Sequence, residues 1–341
     1  MKIFYAIQGT GNGHISRAIE LYPYLQKYGQ VDFMLSGSNA NLPSSLPVKY
    51  KSKGLSLFYK HSGGLDYVKI LRSLSLSIIK DAKNLPIEDY DLVINDFDFV
   101  TSLACKFKKI PCIHFGHQAS FQSKKTPRPS KIDFIGNFIL EKFVKSDTHI
   151  GLHFENYDHH IYNPIIKEDI IKATPINDGH ITVYLPQYSI QHLEPHFLKQ
   201  SKFHFEVFSK EVDRITCKKN ITYFPINNEQ FTSSLIRCYG IITAGGFETP
   251  AEAMYMNKKL LSIPILNHYE QACNAKALEK LGVMVLKKID EKFGEYFSQW
   301  INEKKSIKLN LEHSTADIVE ILMKKNQTKQ TNKSKEHVYH S

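Results

Sequence analysis

Cysteine is scarce in this chain, and none of it is arranged for chemistry. The five residues Cys105, Cys112, Cys217, Cys238 and Cys273 contain no C-x-x-C pair and are odd in number. A disulfide framework is therefore not expected, and free thiols in a reducing compartment are. No apolar stretch approaches the ~20 residues that a membrane-crossing helix needs. The N-terminal apolar run is too short for the core of a secretory signal. A cytoplasmic location is expected, with any membrane contact peripheral, at the inner face. Repeats of fixed period are missing, and low complexity is confined to the end of the chain.

What is present is a globular composition, 42% apolar with 12% aromatic residues, spread over 341 residues. That length exceeds what one core usually organises, so two domains are expected. The formal net charge is +10, but the final stretch "KKNQTKQTNKSKEHVYHS" carries five Lys against one Glu. It lacks apolar periodicity, so residues 324–341 are expected to form a disordered basic tail. The remaining body is moderately basic, which suits an anionic substrate, an anionic membrane surface or nucleic acid without choosing among them.

Short β-rich runs alternate with helical patterns: "KIFYAI" then "HISRAIELYPYLQKY", "VDFML", "LDYVKILRSLSLSIIKDAK", "DLVIND" then "FVTSLACKF", and "PCIHF". The alternation breaks at "IYNPIIKEDIIKATPINDG". It restarts with "HITVYLP", "KFHFEVF", "NITYFPI", "YGIITAGG", "KLLSIPI" and "VMVLKK". Such alternation predicts α/β architecture with two Rossmann-like, doubly wound domains, 1–163 and 164–323, facing a cleft. Ligands of such sheets bind beyond the carboxyl ends of the strands.

The loop "IQGTGNGH" follows a strand and opens a helix, placing Gly11, Asn12 and Gly13 where backbone N–H groups can face an anion. Its G-x-G-x-G-H spacing puts His14 where the dinucleotide fingerprint requires glycine, and no acid ends the second strand. A nicotinamide or flavin site is thereby disfavoured. Tight helix–strand packing explains one glycine. Three in alternation before His14, with Arg17 one turn along the same helix face, fit a loop that serves the cleft.

In "YGIITAGGFETPAEAMYMNKKLLSIPILNHYEQACNAKALEKLG", a strand ends at Gly245 and Gly246. Thr249, Pro250 and Glu252 read as a helix start with a capping box, in which Glu252 folds back on Thr249. The same N–H groups offer a metal-free cradle for a pyrophosphate. Glu270, Gln271 and Asn274 arrive just past the next strand, and carboxylates and amides of this kind accept and donate to the paired hydroxyls of a sugar.

On these residues the chain resembles GT-B glycosyltransferases, especially the MurG-like UDP-N-acetylglucosamine transferases of family 28. The resemblance extends through "NDFDFVTSLACKFKKIPCIHFGHQ" and "YNP". It implies a hexosyltransferase that moves a sugar, N-acetylglucosamine or a close relative, from a UDP-sugar to a glycan or lipid-linked acceptor, a cell-envelope glycan among the candidates. Inversion without a metal or other cofactor is implied. Gly245 and Gly246 would approach the diphosphate, Glu252 the ribose hydroxyls, and Glu270 with Gln271 the transferred sugar, with Asn274 in support. Gly11, Gly13 and His14 would lie near the bond being made, and Gln118 would face the same cleft. One departure is "LPQYS", with Gln187 and Ser189, where the family carries a glycine-rich turn.

His14 is the candidate general base, because histidine titrates near neutrality; a hydrogen-bonded residue at a helix start is the plainer reading. Asp96 and Asp98 mimic a metal-binding D-x-D, but capping and cleft polarity account for them. His159 and His160, adjacent on an expected strand, should point apart, so no zinc site is expected there. "KIDFIGNFILEKFVKS" has apolar residues at helical spacing with Lys at both ends. Such a helix usually faces the core, and the alternative is a surface helix on anionic lipid. A non-hydrolysing UDP-sugar epimerase of the same architecture, and a basic nucleic-acid-binding protein, remain as rival functions; the second lacks a recognition helix.

Overall fold

The computed structural model describes residues 1–9, 11–37, 46–54, 76–303 and 307–338. The first sheet comprises β1 (Lys2–Gln8), β2 (Gln30–Ser36), β3 (Val48–Ser52), β4 (Leu92–Asp96), β5 (Ile113–Gly116), β6 (Thr148–Leu152) and β7 (Ile161–Tyr162). Their order is β3-β2-β1-β4-β5-β6-β7, and the neighbours run parallel. The second comprises β8 (Ile181–Tyr184), β9 (Phe205–Ser209), β10 (Thr216–Lys218), β11 (Ile221–Pro225), β12 (Gly240–Thr243), β13 (Lys259–Ser262) and β14 (Met284–Val285). Its order is β10-β11-β9-β8-β12-β13-β14, parallel except for the β10–β11 hairpin.

The helices are α1 (Asn12–Leu25), α2 (Leu76–Asn84), α3 (Phe99–Lys108), α4 (Phe134–Lys142), α5 (Glu168–Lys172), α6 (Ile190–Leu198), α7 (Asn228–Arg237), α8 (Glu248–Tyr255), α9 (Tyr269–Leu281), α10 (Phe293–Asn302) and α11 (Thr315–Val338). A central parallel strand is covered on both faces, so it is written as an unbroken apolar run. In β1, six of seven residues are buried. Helices start where polar side chains satisfy orphan N–H groups: Asp98 accepts from Thr101 N at the head of α3, and Asp133 from Ile135 N and Gly136 N at the head of α4.

Both sheets have the same winding reversal, between β1 and β4 and between β8 and β12. Loops leaving adjacent strands on opposite sides of a reversal open a crevice. The two crevices meet in one cleft, described below.

The segment between the sheets is packed rather than loose. Ile165, Ile166 and Ile170 are buried in a core cluster that also holds Ile3 and Tyr5 of β1, Ile241 of β12, and Ile318 and Leu322 of α11. The last helix thus returns to the first half, where Asn326 Nδ2 donates to Asp91 O at 3.5 Å. Residues 324–338, expected to be disordered, continue this helix.

Strands β3, β6, β7 and β10 are absent from the sequence reading. β3 ("VKYKS") and β10 ("TCK") lie at sheet edges, have no fully buried residue and carry lysines, so the apolar signal is missing. The helical stretch read over 65–83 is described only from Leu76.

Candidate active site

The cleft has a volume of about 350 Å³ and is lined by both halves. From the first half come the loop after β1 with the start of α1 (Gly11, Asn12, Gly13, His14, Arg17) and the turn after β5 (His117, Gln118). From the second come Gly246, Thr249, Glu252, Glu270 and Gln271. Two expected members, Gly245 and Asn274, lie behind this lining.

His14 and Arg17 project from successive turns of α1 toward Asp96, the last residue of β4. His14 Nδ1 lies 2.8 Å from Asp96 Oδ1. Arg17 donates through Nε to Oδ2 at 3.0 Å and through Nη2 to Oδ1 at 2.8 Å, and Tyr5 Oη donates to Oδ2 at 3.3 Å. Burial alone would raise the Asp96 pKa. The Arg17 charge and the His14 contact outweigh it and hold the carboxyl well below the usual carboxylate range. An ionised Asp96 fixes the proton on Nδ1 of His14. The Arg17 Nη2 that sits 3.0 Å from the same nitrogen then points its N–H at Asp96, since Nδ1 has no lone pair to offer. Nε2 has no partner among the described residues and is the ring nitrogen left for the cleft.

The backbone is shaped around this pair. Phe97, directly after Asp96, has φ of 62°, a left-handed conformation rare for a large side chain and concentrated at functional sites. Gly116 has φ of 107°, and a Cβ there would lie 2.7 Å from Asp96 Oδ1.

Asp98 bears out the capping reading. Its carboxyl accepts from Thr101 N and from the Ser36 hydroxyl. The pairing of Asp96 with His14 goes beyond what that reading assigned. Arg17, expected with the loop that serves the cleft and its diphosphate, has its donors committed to protein groups: Nη1 bonds Glu248 Oε1 across the cleft, and Nε and Nη2 hold Asp96. Burial would lower the Arg17 pKa, and Asp96 with Glu248 drives it up instead.

The glycines divide by role. A Cβ on Gly9 would press on Ser36 O at 3.0 Å, and one on Gly13 would strike Glu248 Oε2 at 2.6 Å. Gly11 and Gly246 have open space instead. A Cβ on Gly245 would lie 2.9 Å from Pro264 Cβ and 3.0 Å from Gln271 O, so this glycine lets β12 end against α9.

Helix α8 begins at Glu248, with Phe247 at the N-cap and no side-chain cap. The capping box on Thr249 is therefore not formed. Glu252, released from it, is 2% exposed, pairs through Oε1 with Lys167 Nζ at 3.4 Å, and leaves Oε2 without a partner. Burial raises its pKa. An unpartnered buried carboxylate oxygen is costly unless something donates to it.

Asn274 is fully buried. It accepts from His117 Nε2 at 2.8 Å and donates to Gly245 O at 3.1 Å, tying the halves together. His117 stacks on Phe247 at 4.0 Å. Gln271 turns its Oε1 to Ile265 N, while Gln118 lines the cleft with Oε1 unpartnered. Gln187 donates to Ile263 O and Ser189 caps α6, so neither side chain lines the cleft.

His159 and His160 sit in a turn rather than on a strand, with ring centroids 5.1 Å apart; they do not point apart. With Asp158 they form the group closest to a metal-ligand set among the described residues. Asp158 is already held by Ser123 and Lys125.

Buried histidines make stability acid-sensitive. Burial, with His149 alongside, pushes His114 down to about 3, and burial lowers His117 and His153 as well. Burial thus favours the neutral form of each ring in the folded protein relative to the unfolded chain. Stability is therefore complete above the unfolded value and falls below about pH 6.5, by about 1.4 kcal/mol per pH unit for His114. The Asp96 contribution is lost only below about pH 4. Urea midpoints should drop between about pH 7.5 and about pH 5; equal midpoints would contradict neutral burial.

A protein-family model described as glycosyl transferase family 1 matches residues 1–300. No curated protein matches the chain. Among solved structures, a spinosyn forosaminyltransferase, SpnP, is 12% identical with a TM-score of 0.55, over 96% of this chain and 99% of that one. MurG of Acinetobacter baumannii is 14% identical at 0.54, over 95% and 99%. Arabidopsis thaliana UGT89C1 complexed with UDP is 12% identical at 0.61, over 95% and 99%. These likenesses place the two facing sheets in the GT-B fold.

Proposed function

The chain belongs to glycosyl transferase family 1, and from that premise we propose that it moves a hexosyl group, N-acetylglucosamine or a close relative, from a UDP-sugar to an acceptor hydroxyl, with inversion and without a metal. The UDP donor is supported by the solved neighbour complexed with UDP. The acceptor class proposed is a glycan or lipid-linked glycan, in the cytoplasm or at the inner face of the membrane. Solved neighbours complexed with pterostilbene and with quercetin make a small-molecule acceptor the rival class.

The observation that carries the reading is the buried His14–Asp96 pair on one wall of the cleft, opposite the open backbone at Gly246 and the unpartnered Oε2 of Glu252. His14 Nε2 takes the proton of the acceptor hydroxyl, whose oxygen attacks the anomeric carbon. The bond from that carbon to the diphosphate breaks, and its electron pair leaves with UDP. Gly246 and the start of α8 receive the developing negative charge. Asp96 holds the tautomer and stabilises the imidazolium. A single displacement inverts the anomeric configuration. Glu252 accepts hydrogen bonds from the ribose hydroxyls, while Glu270 and Gln271 contact the sugar.

Glu252→Ala is expected to weaken UDP binding by about tenfold or more, the usual loss for a hydrogen bond to a charged group, measured by titration calorimetry. The reading as a whole is tested by UDP release from UDP-N-acetylglucosamine and related donors, with product anomers assigned by NMR and the assay repeated with EDTA. Retention of configuration, or activity abolished by EDTA, would refute the mechanism. Conversion of the UDP-sugar without any acceptor would indicate the epimerase instead.

A further inference from the structure

Helix α4 carries an apolar face that the protein leaves uncovered. Phe134 is 84% exposed and Phe138, one turn along the same face, is 64% exposed; Ile132 and Ile135 beside them are about half exposed. The opposite face does the packing. Leu140 and Val144, with Ile139 and Phe143, press on Phe97, Phe121 and Tyr269. The helix is firmly seated, so its outward phenylalanines are not the product of a loose element. Arg128 reinforces the seat through Phe121 O, Asn137 Oδ1 and Glu141 Oε1. Contiguous exposed apolar surface of this kind marks an interaction site.

The charges around it choose the partner. Lys124, Lys125, Lys131, Lys142 and Lys145, in and beside α4 in sequence, are exposed, and residues 124–147 hold six basic side chains against three acidic ones. Two of those acids are engaged, Asp133 as the cap of α4 and Glu141 by Arg128; Asp147 is exposed. Lys125 pairs with Asp158 at 3.3 Å, and the other four lysines have no resolved acidic partner among the described residues. Aromatic rings projecting from a rim of ammonium groups complement a surface with an apolar interior and anionic headgroups.

We propose that α4 is a docking surface for the anionic phospholipid face of a bilayer, with Phe134 and Phe138 entering the acyl region and the lysines resting on phosphates. Its position gives the contact a use. Tyr269 packs beneath α4, with its hydroxyl 3.5 Å from Asn137 Oδ1, and the next residue, Glu270, lines the cleft. A docked bilayer therefore lies beside the cleft, where an acceptor anchored in it could reach His14. Vesicle binding itself does not depend on the sugar-transfer reading, so the two stand or fall separately.

The test is flotation of the full chain with phosphatidylcholine vesicles containing phosphatidylglycerol, beside vesicles of phosphatidylcholine alone. The wild-type chain should float with the anionic vesicles and less with the neutral ones. F134S/F138S should lower the partition coefficient by at least about tenfold with an unchanged melting temperature, since both rings are exposed. K131E/K142E should remove the preference for anionic lipid. Flotation of F134S/F138S equal to wild type would overturn the proposal, because the basic tail would then account for binding. Absence of flotation would overturn it too. Light scattering showing a dimer that F134S/F138S dissolves, without flotation, would assign the face to a second copy instead.

Discussion

Replacing His14 with alanine is expected to lower turnover by about 10²–10⁴, the usual worth of general-base assistance. Donor affinity should be nearly unchanged, because the cradle at Gly246 and Glu252 lies on the other half. A loss confined to kcat removes an interaction made in the transition state, whereas a rise in KM would show that His14 only binds. Folding should survive. His14 is 8% exposed at the surface of the cleft, and truncating it leaves Asp96 with both Arg17 bonds. His14→Ala with full turnover would end the base assignment.

Asp96→Asn should damage both activity and stability, and the two are separable. The amide presents its N–H₂ or its oxygen to His14 Nδ1 without a fixed charge, so the tautomer is no longer held and the imidazolium loses its counter-ion. Turnover should fall by about 10²–10⁴. The stability cost arises at Arg17, which is 3% exposed and keeps only Glu248 as a charged partner. Removing one member of a buried ion pair typically costs about 3–5 kcal/mol, and the remaining Glu248 pair favours the lower end. Urea unfolding measures the second effect; turnover at a temperature where the variant is fully folded measures the first. Asp96→Asn with wild-type stability would mean that Arg17 is satisfied elsewhere. His14→Ala should lack the stability loss, and that contrast separates the proton-handling role of the pair from the structural role of the Arg17 bridge.

Much of the fold is legible in local pattern. The runs "KIFYAI", "DLVIND" and "GIIT" are buried strands because parallel sheets covered on both faces demand continuous apolar residues. The glycine-containing loops after β1 and β12 mark where chain and ligand can come close. Edge strands such as β3 escaped because no residue in them is fully buried, and their lysines face solvent rather than core. The capping box at Thr249 failed for a different reason. The helix starts one residue before Thr249, with Phe247 at its N-cap, and Glu252 pairs with Lys167 at 3.4 Å, from the segment between the sheets.

Sequence by itself determined two alternating α/β units, a polar cleft between them and eleven of the residues along its walls, since each of these is written within a few neighbouring positions. Tertiary structure alone decided which residues act on which. Asp96 reaches His14 from 82 residues away and Glu248 reaches Arg17 from 231. Those meetings depend on β4 lying beside β1 and on the second sheet facing the first. Strand order and domain packing are set by the burial of whole surfaces, and no short window of the chain contains that information.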